Sequence, residues 1–168
     1  DLRFNPGGLL ESAIDVADRF VEEGLIVATV NAAGKTDDKR FAKKPPTYQR
    51  FPVVVLINQG SASASEIIAG ALQDHDRAIV VGTRSYGKGS VQDLFPVAYG
   101  RAYLKLTTHY YRFPRGRTIH RHPGDKQWGI EPNLLVDMTN EQIKKMIELR
   151  QELDVLRDEQ LPPVTVDP

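Results

Sequence analysis

Two short segments hold residue types able to break an amide bond. Gly60-Ser61-Ala62-Ser63-Ala64-Ser65-Glu66 carries serines, and Tyr86-Gly87-Lys88-Gly89 places a lysine 25 residues after Ser63. Serine and lysine form a nucleophile and base pair when they meet in space. A third segment, Asp1-Leu2-Arg3-Phe4-Asn5-Pro6-Gly7-Gly8, opens the chain with a Pro-Gly-Gly turn. Backbone N–H groups in such a turn can hold an oxyanion. Together the three point to acyl transfer, most simply peptide hydrolysis.

Each candidate has a plainer reading. Ser63-x-x-Glu66 fits a helix capping box. The catalytic reading puts Ser63 on a tight strand-to-helix turn, with the Ala64 N–H where an oxyanion would form. Small neighbours, Gly60, Ala62 and Ala64, leave room for a substrate backbone; Ser61 and Ser65 stay open as alternatives. Lys88 alone reads as a surface lysine, but Gly87 and Gly89 flank it in a loop entered from an apolar run. A lysine brought into a semi-buried site is desolvated, which disfavours its ammonium form. Gln92 can hydrogen-bond the amine without holding it protonated, or can be a plain edge-strand residue. Among the histidines, His75 lies at the far end of the Ser63 helix, roughly 15 Å away. His109 alternates within a strand. His120 and His122 lie in a loop with no carboxylate cluster to complete a metal site.

These residues need elements to position them. Leu9, Leu10, Ala13, Ile14, Ala17, Phe20 and Val21 recur at helical spacing, and the helix ends near Gly24. Leu25–Val30 reads as a strand and 31–50 as a polar surface excursion. Val53–Ile57 and Ala78–Val81 read as strands buried on both faces of a parallel sheet, with a helix over Ala64–Leu72 between them. Val91–Val97 and Arg101–Arg112 flank a hairpin turn at Ala98-Tyr99-Gly100, and 113–133 reads as irregular. Asn140–Gln160 is a charged helix, and Leu161–Pro168, with three prolines, an extended arm.

The bulk composition narrows the classes. The 168 residues suit one domain plus an arm, and 40% are hydrophobic. Lys+Arg and Asp+Glu are both 22, which argues against a general nucleic-acid surface. No run approaches the ~20 apolar residues of a membrane span. Without cysteine there is no disulfide, zinc–thiolate site or cysteine nucleophile. The chain begins inside a motif and is expected to be a piece of a longer protein.

The ordered set Asp-Leu-Arg-x-Asn-Pro-Gly-Gly, Gly-Ser-Ala-Ser-Ala-Ser-Glu and Tyr-Gly-Lys-Gly-Ser-Val-Gln resembles the carboxyl-terminal processing (tail-specific) proteases, the S41 serine peptidases. The likeness continues through Tyr110-Tyr111 and Gly129-Ile130-Glu131-Pro132-Asn133. It implies a catalytic core over 1–136, N-terminally truncated and without the family's PDZ domain, followed by a helix and tail over 137–168. The implied fold is α/β, a ClpP/crotonase-like core of ββα units with a mainly parallel sheet. The resemblance makes Ser63 the nucleophile, Lys88 the general base and Gln92 its support. Ala64 and a glycine of the turn, Gly8 or its neighbour Gly7, become the oxyanion donors. It implies an endopeptidase acting near the C-terminal tails of protein or peptide substrates, needing no cofactor or metal. It further implies an extracytoplasmic, bacterial periplasmic setting and leaves oligomerisation open. The rivals are a catalytically silent scaffold of the same fold and a crotonase-like acyl-CoA enzyme. The stretch His120–Trp128 is longer than the family pattern leads one to expect.

Overall fold

The computed structural model describes residues 1–43, 48 and 51–153. The chain divides into two units, Asp1–Val136 and Asp137–Pro168. Among its described residues the first contains two helices, α1 (Leu10–Asp18) and α2 (Ala64–Asp74), and seven strands. These are β1 (Leu25–Asn31), β2 (Thr36–Phe41), β3 (Val53–Ile57), β4 (Ala78–Gly82), β5 (Ser90–Val97), β6 (Ala102–Arg112) and β7 (Leu134–Leu135). The second unit contributes α3 (Asn140–Leu153). The end of the helix expected over 140–160, and the arm over 161–168, lie outside the described residues.

The class is α/β, with two sheets. β3, β4 and β7 form a parallel sheet in the order β3-β4-β7, and β2-β1-β6-β5 form an antiparallel one. β1 therefore pairs with β6 rather than joining the parallel sheet. Part of the expected surface excursion is a strand: β2 pairs with β1 from Thr36 to Phe41. Nor are β3 and β4 buried on both faces. Val55, Ile57 and Val80 are buried, whereas Val54 and Ile79 are 55% and 56% exposed. A run of valines and isoleucines is apolar whichever way each side chain points, so the pattern alone could not separate one covered face from two. β7 was missed because a two-residue strand leaves no periodicity to read.

The covered side of the parallel sheet packs on α2, the central element. Nine of its eleven residues are buried, including Ile67, Ala69, Ala71 and Leu72. Burying one such large aliphatic side chain is worth about 1.5–3 kcal/mol. Gly70 makes room on this helix: a Cβ there would come within 2.3 Å of the Phe113 ring. α1 supplies Ala13, Ile14 and Ala17 to the same core. It stops at Asp18, earlier than the apolar pattern implies, because the amides of Arg19, Phe20 and Val21 turn back onto Val16 and Ala17 carbonyls. Val21 still reaches the core from that turn, only 2% exposed.

The β5–β6 hairpin closes through a single 3-10 turn at Ala98–Gly100. β1 pairs with β6 only at His109–Arg112, so the outer half of the hairpin is two strands wide. Leu94, Phe95, Val97, Leu104 and Leu106 are exposed there.

Candidate functional site

Ser63 caps α2 at the junction between the β3 loop and the helix, at φ 56° and ψ −117°. A positive φ is costly for a residue with a side chain, of order 1–3 kcal/mol, and persists only where the surroundings enforce it. Here they do. The segment Leu2–Asn5 lies along the turn: Leu2 N–H donates to Leu56 O, Phe4 N–H to Asn58 Oδ1, and Ala62 N–H to Asn5 O. Gly7 closes over the top at φ +95°, where a Cβ would come within 2.6 Å of Ala62 O, 2.8 Å of Ala64 N and 2.9 Å of Ser63 Cβ. Only glycine fits there on both counts.

This geometry separates the three serines. Ser61 is fully buried, its Oγ donating to Leu2 O at 2.7 Å and accepting from Asn58 N–H. Ser65 is 2% exposed and donates to Asn5 O at 3.0 Å. Both hydroxyls hold the first motif onto the second. Ser63, between them, is partly exposed. Its capping box with Glu66 is present, the Ser63 N–H donating to Glu66 Oε2 at 2.8 Å. Capping and an accessible hydroxyl thus occur on one residue.

The oxyanion candidates also separate. The Gly7 N–H donates to Asn5 Oδ1 at 2.9 Å, so it is committed. Gly8 is exposed, with open space where a Cβ would stand. Ala64 N–H is the first amide of α2, one of the four a helix cannot satisfy internally.

Glu66 joins the serine turn to the lysine loop. Its side chain is fully buried and accepts four hydrogen bonds. Besides the Ser63 N–H, these come from Ser85 Oγ at 2.5 Å, Gly87 N–H at 2.7 Å and Lys88 N–H at 2.8 Å. Four donors around one carboxylate satisfy the buried charge that would otherwise be prohibitive. Tyr86 N–H adds a bond to Ser61 O at 2.9 Å. The sequence shows Glu66 only as half of a capping box; that it spans two loops depends on a fold contact 22 residues away.

Lys88 departs from expectation. The backbone around it is buried, Gly87 and Gly89 included, but the lysine is exposed rather than semi-buried. It lines a cleft of about 340 Å³ with Tyr86, Ser90, Gln92, His120 and Arg121. Gln92 therefore shares a wall with Lys88.

The histidines take other roles. His75 caps the far end of α2, Nε2 2.7 Å from Leu25 O. His109 contacts Asp37 Oδ2 at 3.0 Å through Nε2 and Thr108 Oγ1 at 2.9 Å through Nδ1, so both nitrogens are engaged away from Ser63. His120 and His122 meet edge to face beside Tyr110, with ring centroids 4.8 Å apart. Burial, reinforced by the neighbouring His122 charge, lowers the His120 pKa; Asp125 opposes this. Among the described residues no group of three or more His, Asp or Glu is arranged to hold a metal ion. No helix among them is long and apolar enough to cross a membrane.

Comparison with known proteins bears on this arrangement. The model of peptidase family S41 matches residues 1–136. A carboxy-terminal-processing protease of Bartonella bacilliformis is 49% identical over 138 residues, covering 82% of this chain and 30% of that protein. One from Synechocystis is 45% identical, again over 82% of this chain and 30% of its own length. The solved photosystem II D1 C-terminal processing protease superposes with a TM-score of 0.74 at 34% identity, over 82% of this chain and 33% of the other. The chain thus spans about a third of the length of these relatives.

Proposed function

Since the chain belongs to peptidase family S41, we propose that residues 1–136 are the catalytic core of a serine endopeptidase that cuts proteins near their C-termini. Ser63 is its nucleophile and Lys88 its general base. The carrying observation is the buried Glu66 carboxylate, which accepts from Ser63 N–H and from Gly87 and Lys88 N–H at once. It ties the backbones of nucleophile and base to one acceptor, the positional control that such chemistry requires.

In the proposed reaction Lys88, as the free amine, takes the Ser63 Oγ proton while Oγ bonds to the scissile carbonyl carbon. The carbonyl oxygen becomes an oxyanion facing the amides of Ala64 and Gly8. The C–N bond then breaks and the departing amine takes the proton from Lys88. Water, deprotonated by Lys88, attacks the acyl ester, and collapse returns the proton to Ser63 Oγ. Gln92 holds the lysine amine in place. No step calls on a metal or cofactor. Protein C-terminal tails as substrates belong to the same proposal and are supported by the names of the bacterial relatives; a bacterial periplasmic setting is proposed with them.

The test is stoichiometric labelling by an activated serine-acylating probe, with the modified residue located by peptide mapping. The expected product is one adduct on Ser63, absent from Ser63→Ala, together with loss of peptide cleavage in that variant. Near-normal turnover by Ser63→Ala would overturn the assignment.

A further inference from the structure

The segment His120–Trp128 takes no part in the proposed reaction, yet it forms the back of the lysine loop. Arg121 N–H donates to Gly87 O at 2.9 Å. A Cβ on Gly87 would come within 2.7 Å of Trp128 Cδ1 and 3.0 Å of Arg121 Cβ, so the indole and the Arg121 stem rest against this glycine. A Cβ on Gly89 would meet His120 N at 2.7 Å. The backbone on both sides of Lys88 is thus in contact with one segment.

Trp128 is itself held. The Arg84 guanidinium lies 4.4 Å from its ring centroid and that of Arg121 lies 4.5 Å away, both within the range of cation–π attraction. Arg84 leads into the lysine loop, and its Nη1 also donates to Lys126 O at 3.2 Å. Two residues after Trp128, Ile130 N–H donates to Ser85 Oγ at 2.6 Å, and that hydroxyl donates to Glu66. The indole therefore sits within a closed set of contacts that runs from Arg84 to Gly87, through Arg121, and back to Ser85 and Glu66.

Resting on the serine–lysine reading above, we propose that Trp128, gripped by Arg84 and Arg121, is a positioning residue that fixes the Lys88 loop against Ser63. Glu66 fixes the amides of Gly87 and Lys88 from the core side; Trp128 fixes the same loop from the outer side. Without the indole, the loop keeps its carboxylate anchor but loses its backstop, and Lys88 samples positions out of reach of the serine hydroxyl.

The experiment uses the full-length protease and one peptide substrate. Trp128→Ala should lower kcat roughly ten- to a hundredfold, the cost of misplacing a catalytic group by about an ångström, with KM within about twofold. Trp128→Phe, which keeps an aromatic face between the two guanidinium groups, should recover most of the loss. The emission of the wild type less that of Trp128→Phe isolates the Trp128 signal, which reports on this contact. Arg84→Gln should shift that emission to the red and lower kcat in the same direction. Wild-type kcat in Trp128→Ala overturns the proposal. So does an equal loss in Trp128→Phe and Trp128→Ala, since that would trace the effect to general packing. If Trp128→Ala does not fold, Arg84→Gln decides: a red shift with unchanged kcat overturns the proposal. Failure of the underlying reading looks different, since Ser63→Ala would then retain turnover.

Discussion

The serine–lysine region and the outer half of the β5–β6 hairpin are built by opposite rules. Around Ser63 and Lys88 nearly every polar group is assigned. Ser61, Ser65, Asn58, Ser85, Glu66 and the Asn5 carbonyl spend their hydrogen bonds joining three distant segments. In the hairpin two strands stand alone beyond Thr108, and their apolar side chains face outward, with Tyr99 fully exposed and Tyr103 64% exposed. A two-stranded ribbon has little stability of its own in water. Positional precision is concentrated where the chemistry is proposed.

That contrast can be broken by mutation. Lys88→Arg keeps the charge but places at the site a guanidinium that does not release its proton in proteins. Peptide turnover should fall at least about a thousandfold, with thermal unfolding unchanged. Retained turnover would remove Lys88 as the base. Glu66→Ala tests the joint instead of the chemistry. It leaves the Ser85 hydroxyl and three backbone amides without their buried acceptor, and urea unfolding should show a loss of about 2–5 kcal/mol. A loss under about 1 kcal/mol would mean that water or repacking substitutes readily, and that the joint is not tight. In the hairpin, Tyr103→Ser should change stability by no more than about 0.5 kcal/mol and leave kcat/KM alone. A larger change would reveal that the outer strands are coupled to the core.

The smallest effect is electrostatic. His120 has a lowered pKa in the fold, so the unfolded chain binds that proton more tightly. Its contribution to stability is fully present above the ordinary imidazole value near 6.5 and is lost as pH falls through the lower, folded value. Between pH 8 and pH 5 the wild-type Tm should fall more than that of His120→Phe, by about 2 °C or less. An equal fall in both would show that the histidine pair does not sense pH.

Sequence alone located the serine turn, the lysine loop, the Pro-Gly-Gly turn and α2, because each is marked by local chemistry: glycines, a capping box, an apolar run of fixed length. Ser63 at a strand-to-helix junction was legible for that reason. The sidedness of β3 and β4 was not, since valine and isoleucine carry no record of which face is covered. β2 was hidden in a polar stretch because an edge strand with one wet face resembles a loop in composition. Lys88 exposed in its cleft, and Glu66 as the link between two loops, were out of reach for another reason. Both depend on which segments meet, and no local pattern records a contact 22 residues apart. Trp128 was visible only as part of an unexpected length.

The single acceptor at Glu66 also sets how this region can open. The amides of Ser63, Gly87 and Lys88 share one carboxylate, and withdrawing that carboxylate frees all three together. Loop and helix terminus therefore form one exchange unit although they are separate in sequence. In deuterium these three amides should exchange at matched rates, slower than the amides of the hairpin tip by the free energy needed to pull a buried charge away from its donors. The proposed nucleophile and the proposed base would then be gained and lost in a single opening event, on one clock.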